Sequence, residues 1–159
     1  MPRRAVLALL AASTILAACG GSDSPPSPSG AAAAGDHGGE GPKTVRLDSG
    51  VVIEDIIVGR GRPVKEGDAI IAHATGRLAG GDRKRFWSTY ERGEPMRFEL
   101  VRGGGLIDGW IDGIPGMRVG GKRRIIIPYR LAYGEAGNPR AGIPPRRDLE
   151  FLIEVQRID

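Results

Sequence analysis

The amino-acid sequence predicts an α+β domain in which a twisted antiparallel sheet of about five strands wraps around one short helix. Two observations lead to this fold class. Several apolar segments alternate with polar residues and are bounded by glycine-rich turns, which is typical of strands with one buried face. Only one segment, residues 106–114, has apolar residues at helical spacing, and Pro115-Gly116 ends it.

The strands are expected where β-type residues run between turns. They cover residues 51–58, 69–78, 96–100, 123–127 and 149–158. The last segment has the clearest alternation, because Leu149, Phe151, Ile153 and Val155 alternate with Glu150, Glu154 and Gln156, and only Leu152 interrupts the polar face. In the helix, Asp108 falls in the first turn, where the helix dipole favours a negative charge, and Trp110 is expected to face the sheet.

The N-terminus has the layout of an export signal. Arg3 and Arg4 precede an apolar stretch that ends in Leu16-Ala17-Ala18-Cys19, so residues 1–18 are interpreted as a signal peptide. The stretch is too short for a mature membrane span, which needs about 20 apolar residues. Its end resembles a bacterial lipobox, which implies a lipid on Cys19 and a membrane-anchored lipoprotein facing the periplasm or the cell exterior. The alternative is an ordinary secretory leader followed by an incidental cysteine.

Residues 19–42 are interpreted as the lipidated cysteine and a disordered tether. The segment after Cys19 consists mainly of Gly, Ser, Pro and Ala, with no aromatic and no large aliphatic residue, so it cannot bury enough apolar surface to fold. All eight aromatic residues of the chain come after it. The folded domain is therefore expected to cover residues 43–159. Cys19 is the only cysteine, which excludes an intramolecular disulfide.

The formal net charge of +4 raises the question of a nucleic-acid partner. The 23 Lys and Arg residues are, however, interspersed with 19 Asp and Glu residues, and the basic clusters are short. Solvated surface explains them better, so no nucleic acid is expected, while attraction to an anionic membrane surface stays open. His37 and His73 have no Cys or carboxylate at ligand spacing, so no metal and no cofactor are expected.

The C-terminal part carries a group of apolar residues with one phenol. The segments are Leu106-Ile107-Asp108-Gly109-Trp110, Ala132-Tyr133-Gly134, Ile143-Pro144-Pro145 and Leu149-Glu150-Phe151. No acid, base or metal ligand stands among their buried-type members. A site of this kind binds an apolar group, and the common biological reaction that fits it is rotation about a bond to proline, which needs no proton transfer.

Several dispersed motifs in a fixed order carry a family resemblance. The segments above, together with His73-Ala74-Thr75-Gly76 and Arg85-Phe86, resemble an FKBP-type peptidyl-prolyl cis-trans isomerase over residues 51–159. The resemblance implies an FKBP-like fold, isomerase activity on proline-containing polypeptide clients in assistance of folding, and binding of rapamycin-class macrolides. It also leaves a second interpretation open, a proline-peptide-binding or chaperone-like lipoprotein with little or no turnover. We expect a monomer.

The resemblance also implies which residues form the site. Trp110 becomes the floor of the proline pocket, and Tyr133 and the backbone N–H of Ile107 become hydrogen-bond donors to the substrate. The catalytic group is completed by two aromatic walls, Phe86 and Phe151. The expected substrate-binding residues are Met96, Leu106, Ile143 and Trp87.

Two positions depart from the family pattern. Ala74 replaces a tyrosine usual in the family, and Trp87 replaces an aspartate that commonly pairs with an arginine at the position of Arg92. Both polar partners are lost together, which avoids leaving one of them unsatisfied. We expect Trp87 to fill the space left by Ala74 and Arg92 to lie over its ring or turn to solvent.

Overall fold

The structure is a computed structural model, and it describes residues 43–159. The predicted signal peptide, Cys19 and the tether lie outside the described residues. In the described part, seven strands and one α-helix follow one another along the chain. They are β1 Thr44–Arg46, β2 Val52–Ile57, β3 Ala69–Leu78, β4 Arg85–Ser88, β5 Met96–Glu99, α1 Asp108–Gly113, β6 Lys122–Ile127 and β7 Leu149–Ile158.

The strands form one antiparallel sheet in the order β1-β2-β6-β7-β3-β4, and β5 also pairs with β3. The predicted α+β fold is confirmed, with the helix and all five predicted strands present. Sequence reasoning missed β1 and β4. The three residues of β1 are all exposed and show no alternation, and β4 is only four residues long.

Helix α1 lies against the sheet and buries Trp110 and Ile111. A Cβ atom on Gly109 would overlap the side chain of Ile127, so the glycine lets α1 approach β6 closely. The buried Arg123 holds the other end of the helix, because its Nη1 donates to the carbonyl oxygens of Gly113 and Pro115 at 2.8 and 3.0 Å. These oxygens would otherwise lack partners at the helix C-terminus.

No helix in residues 43–159 is both long enough and apolar enough to cross a membrane.

Candidate functional site

A cavity of about 360 Å³ opens between α1, the sheet and the loop that follows β6. Its walls are mostly aromatic or aliphatic, and it is large enough for a small ring and its neighbours. The lining residues are Phe86, Trp87, Phe98, Gly105, Leu106, Ile107, Trp110, Tyr133, Ala141 and Phe151.

The aromatic rings of the cavity pack edge to face around Trp110. Its ring centroid lies 4.8 Å from that of Phe98 and 5.2 Å from that of Phe151, at interplanar angles of 63° and 84°. Phe86 meets Phe151 at 5.8 Å, and Trp87 meets Trp110 at 6.5 Å. Such pairs gain attraction from the quadrupoles of the rings in addition to area burial, so each ring holds its neighbour in position.

Gly76 on β3 makes room for two of these rings. A Cβ atom at this position would lie 2.6 Å from Cζ of Phe86 and 2.7 Å from Cε1 of Phe151, well inside van der Waals contact. The register explains this crowding, because Gly76 pairs with Phe151 on β7 and with Trp87 on β4. Any side chain at position 76 would therefore displace the cavity walls.

The Tyr133 hydroxyl and the backbone N–H of Ile107 are hydrogen-bond donors at the cavity without an acceptor within residues 43–159, as is the buried indole Nε1 of Trp110. The Tyr133 side chain is 37% exposed, and its hydroxyl forms no hydrogen bond with the described residues. The backbone N–H of Ile107, the residue that caps α1, likewise donates to no group in this part of the protein. The hydroxyl and the backbone N–H are free to bind carbonyl oxygens of a ligand that enters the cavity.

Sequence reasoning assigned nine residues to catalysis or substrate binding, and the structure brings seven of them together. Phe86, Trp87, Leu106, Ile107, Trp110, Tyr133 and Phe151 all line the same cavity. Their roles in binding or catalysis stay predictions.

Met96 and Ile143, also expected to form cavity walls, do not belong to the lining residues above, and their part in the site stays a prediction. Ile143 is only 1% exposed and belongs to the hydrophobic core, and Ala141 reaches the cavity instead. On β5, the sulfur of Met96 lies next to the Arg92 guanidinium. Phe98, two residues later on the same face, packs on Trp110. Alternation along β5 could have suggested Phe98, since it shares a face with Met96.

The structure places Ala74 in the core and Trp87 at the cavity wall, and the expectation that Trp87 fills the space beside Ala74 stays a prediction. Ala74 is fully buried, and Trp87 is half-buried at the cavity wall, where its ring meets Phe98 at 6.3 Å. Arg92 is exposed and its Nη1 lies 3.8 Å from Sδ of Met96, with no cation–π contact to Trp87 within the described residues. Of the two arrangements expected for Arg92, the structure shows the solvent-exposed one.

Thr89 fixes the chain just after Trp87. Its fully buried hydroxyl accepts a hydrogen bond from the Ala74 N–H at 3.0 Å and lies 3.0 Å from Nδ1 of His73. The Thr89 N–H also donates to the Ala74 carbonyl oxygen, at 3.0 Å. These bonds tie the end of β4 to β3, so the position of Trp87 is set by backbone as well as by ring contacts.

The charged groups with perturbed pKa values lie outside the cavity lining. Lys122 donates a hydrogen bond to Glu154 and holds the pKa of that carboxyl below its ordinary value, while the carboxylate raises the pKa of Lys122. Burial, and then the nearby Glu154, raises the pKa of Tyr90. Within residues 43–159 no group of three or more His, Cys, Asp or Glu side chains could hold a metal ion. The cavity therefore offers shape, apolar surface and neutral hydrogen-bond donors.

The sequence and the fold were compared with known proteins. The family model for FKBP-type peptidyl-prolyl cis-trans isomerases matches residues 60–156. The FKBP-type peptidyl-prolyl cis-trans isomerase FkpA of Escherichia coli strain K12 is 40% identical over 114 residues, which cover 71% of this chain and 40% of FkpA. FK506-binding protein 4 of Neurospora crassa is 40% identical over 115 residues, which cover 72% of this chain and 23% of that protein.

Solved structures show the same likeness. The crystal structure of FkpA from Escherichia coli matches with a TM-score of 0.65 and 36% identity, over 73% of this chain and 51% of that chain. The crystal structure of AtFKBP13 matches with a TM-score of 0.64 and 37% identity, over 74% of this chain and 99% of that chain. This chain spans less than half the length of the two curated relatives above.

Proposed function

Because this chain belongs to the FKBP-type peptidyl-prolyl cis-trans isomerase family, we propose that residues 43–159 catalyse rotation about Xaa-Pro bonds and so assist protein folding. The observation that carries the proposal is the combination of an aromatic cavity with hydrogen-bond donors that have no partner in the described residues. Proline is the residue whose side chain fits an aromatic pocket and whose preceding amide isomerises slowly enough to limit folding.

The mechanism follows from the electronic structure of the amide. Resonance between nitrogen and carbonyl gives rise to a rotational barrier of about 18–20 kcal/mol, and twisting the bond removes that resonance. The twisted amide is less charge-separated than the planar one. An apolar wall that excludes water from the carbonyl therefore raises the energy of the planar form more than that of the twisted form, which lowers the barrier.

Each catalytic residue has a separate part in this scheme. Trp110 supports the proline ring from below, with Phe86 and Phe151 on the sides. The Tyr133 hydroxyl and the Ile107 N–H donate to the carbonyl oxygens that flank the rotating bond, so the peptide keeps one orientation while it twists. Leu106 and Trp87 contact the residues on either side of the proline. No nucleophile or cofactor takes part.

The test is isomerisation of a short Xaa-Pro peptide by the full chain and three variants. Tyr133→Phe removes one donor and is expected to lower kcat/KM up to about tenfold, the effect of one hydrogen bond. Trp110→Ala removes the floor and should abolish turnover. Tyr129→Phe is the matched control, because this tyrosine lies outside the cavity lining and should leave the rate unchanged. A parent chain with no rate above background would overturn the proposal.

Trp87 supports a second candidate function, a module that binds proline-containing peptides without fast turnover. The indole stands where family members commonly carry an aspartate at the pocket edge, so the binding surface is kept while a polar group is lost. Saturable peptide binding by a chain that shows no turnover, lost in Trp110→Ala, would favour this function over catalysis.

The proposed partners are proline-containing client polypeptides and rapamycin-class macrolides. The curated relative from Neurospora crassa is named for binding FK506, and the aromatic cavity here has the apolar surface that such a ligand needs. The missing aspartate is expected to weaken macrolide binding. Calorimetric titration of the full chain, compared with Trp87→Asp, measures that loss.

We propose further that the protein is exported and anchored to a membrane through a lipid on Cys19, as a monomer. The support is the sequence alone, with its paired arginines, apolar stretch and Leu-Ala-Ala-Cys end. Mass spectrometry of the N-terminal peptide from bacterial membranes tests it. A peptide that begins at acylated Cys19 is expected, and Cys19→Ser should release or mislocalise the protein.

A further inference from the structure

Three aliphatic side chains are exposed together at one end of the sheet. Ile57 at the end of β2 and the next residue, Val58, are 50% and 76% exposed, and Val119 is 39% exposed. All three lie where β2 and β6 meet at this end, because Ile57 pairs with Lys122 at the start of β6 and Arg60 pairs with Val119 in an isolated β-bridge with an N···O distance of 2.8 Å. We call Ile57, Val58 and Val119 the aliphatic tip.

Two arginines flank the aliphatic tip. Arg118 precedes Val119 in the chain, and Arg60 lies opposite it in the bridge; both are exposed. Arg118 donates to the carbonyl oxygen of Gly61, which neutralises no charge, and neither arginine has an acidic partner within residues 43–159. The carboxylates of Asp68, Glu154 and Asp159 at this end of the sheet are each already paired with a cation.

The chain enters the domain at the same end. In the antiparallel pair of β1 and β2, Thr44 lies opposite Glu54 and Arg46 lies opposite Val52, so Lys43 is next to the end of β2 that leads into the aliphatic tip. The 23 residues between Cys19 and Lys43 have the composition of a flexible linker.

Most of the cavity lining lies toward the other end of the sheet, and the lining residue Phe98, on β5, is separated from the tip by β6, β7 and β3. Val119 precedes the first residue of β6, whereas the loop that carries Tyr133 follows the last residue, Ile127. The cavity residue Phe151 pairs with Ile125, three positions along β6 from Lys122, the partner of Ile57. Three residues of a strand span about 10 Å, and the aliphatic tip lies at least this far from the level of Phe151 along the sheet. A surface in contact with the tip thus leaves the cavity open.

We propose that the aliphatic tip and its two arginines form a docking surface for an anionic phospholipid bilayer. Small apolar side chains enter the headgroup region, and arginines bind lipid phosphates beside them. This proposal rests on the proposed anchoring of the chain at a membrane, since a tether converts weak docking into an intramolecular event at millimolar effective concentration. Docking would orient the domain with its cavity toward the aqueous compartment.

Other occupants fit the surface less well. A second copy of the chain would bring Arg60 and Arg118 near their own counterparts, and the acidic residues of this end are already paired. Residues 20–42 contain no large aliphatic or aromatic residue with which to cover the tip. An anionic bilayer supplies both the apolar interior and the negative charge.

The test places a nitroxide label at each end of β2 in the full chain carrying Cys19→Ser, so that the label site is the only cysteine. Val58→Cys reports on the aliphatic tip, and Ser49→Cys, exposed in the turn at the other end of β2, is the matched control. The labelled chains, which have no lipid anchor, are mixed with vesicles at millimolar lipid, the effective concentration that the tether would supply. The vesicles consist of phosphatidylcholine with or without a minority of phosphatidylglycerol. The collision rates of the nitroxide with oxygen and with a water-soluble nickel complex measure how far the label is immersed in the bilayer.

We expect the label at position 58, and not the one at position 49, to gain oxygen collisions and lose nickel collisions on vesicles that contain phosphatidylglycerol. Arg60→Glu with Arg118→Glu should lower the docking constant by about 30-fold or more. Arg60→Glu alone keeps the Arg118 contact to Gly61 and should have a smaller effect in the same direction. Peptide isomerisation, measured in the same samples, should not change.

Equal responses at positions 58 and 49, or a response that survives charge reversal, would overturn the docking proposal. If the label at position 58 is protected from nickel collisions in the absence of vesicles and the protein has the mass of a dimer, the proposal would also be overturned, in favour of self-association. These results are independent of isomerase activity, because a parent chain without turnover can still show the vesicle response. They are independent of acylation too, since all variants lack Cys19.

Discussion

The indole of Trp87 meets the indole of Trp110 edge to face, with ring centroids 6.5 Å apart. A tryptophan at the wall therefore supports the tryptophan at the floor, at a position where FKBP-type domains commonly have a carboxylate. The cavity is bounded by apolar surface on this side, which bears on the peptides that it would accept.

The Trp87 side chain is expected to favour large apolar residues before proline. Trp87→Ala should lower kcat/KM about fivefold for Leu-Pro and Phe-Pro peptides, because the aromatic contact is lost, and less for Ala-Pro peptides. Trp87→Phe keeps a ring at the wall and serves as the control. Isomerisation rates for the three peptides provide the measurement, and an equal loss for all of them would contradict a role in selecting the substrate.

A methyl group at position 76 is expected to disturb both stability and turnover. Gly76→Ala places Cβ 2.6 Å from the Phe86 ring and 2.7 Å from the Phe151 ring, and should lower the free energy of unfolding by about 1–3 kcal/mol. Urea denaturation measures this loss. Phe86→Leu in the same chain relieves part of the clash, so the two substitutions should be less than additive; strict additivity would show that the ring is not what resists the methyl group.

Arg123 is expected to contribute to stability far more than the neighbouring Arg124. Arg123 is buried and binds Asp55 at 2.6 and 2.9 Å as well as two helix carbonyls, which a lysine cannot reproduce. Arg123→Lys should lower the free energy of unfolding by about 3 kcal/mol. Arg124→Lys, at a half-exposed pair with Glu54, should cost at most about 1 kcal/mol. Similar midpoints for the two variants in urea would contradict this ranking.

Stability is expected to fall in acid through carboxylates that are paired in the folded protein. The pKa of Glu154 is lowered from 4.5 by its hydrogen bond from Lys122, so its stabilisation is complete above the ordinary pKa and is lost as the pH falls through the folded value. Glu154→Gln should therefore be less stable than the parent near neutral pH and equal to it in strong acid. Glu94→Gln, exposed and without an ion pair in the described residues, is the control. A constant difference across pH would contradict the assignment.

Isomerisation itself is expected to be insensitive to pH around neutrality. Among residues 43–159 no carboxylate, imidazole or ammonium group lines the cavity, so none of their charges that change in this range faces the peptide. Rates from slightly acidic to slightly basic buffer should stay level within the range where the fold is intact. A bell-shaped profile would indicate an acid–base group that the cavity lining does not contain.

Much of the fold could be predicted because burial leaves a period in the sequence. Strands β3 and β7 have ten residues each, long enough for alternation to define them, and Trp110 on a short amphipathic helix was expected to face the sheet. Strand β4 left no such signal, because Phe86 and Trp87 are adjacent and both half-buried. Its position depends on pairing with β3, which is a property of the assembled sheet.

In the site too, some residues could be found from sequence motifs, whereas others depend on how the folded chain packs. Motifs placed Trp110, Tyr133 and Phe151 in one site, and the structure brings these side chains to one cavity. Met96 and Ile143 were expected in the lining, and the structure places there Phe98 and Ala141, each two residues away along the chain. Phe98 takes the place assigned to Met96 because its position on β5 sets it beside Trp110.

The only two tryptophans of the chain, Trp87 and Trp110, both belong to the cavity lining. Their ultraviolet emission therefore comes entirely from the proposed active site. A ligand that fills the cavity and shields the indoles from solvent should shift that emission to shorter wavelength and change its intensity, without any dye or engineered label. The protein carries a built-in optical reporter of its own occupancy, with which client peptides and macrolides can be ranked by simple titration.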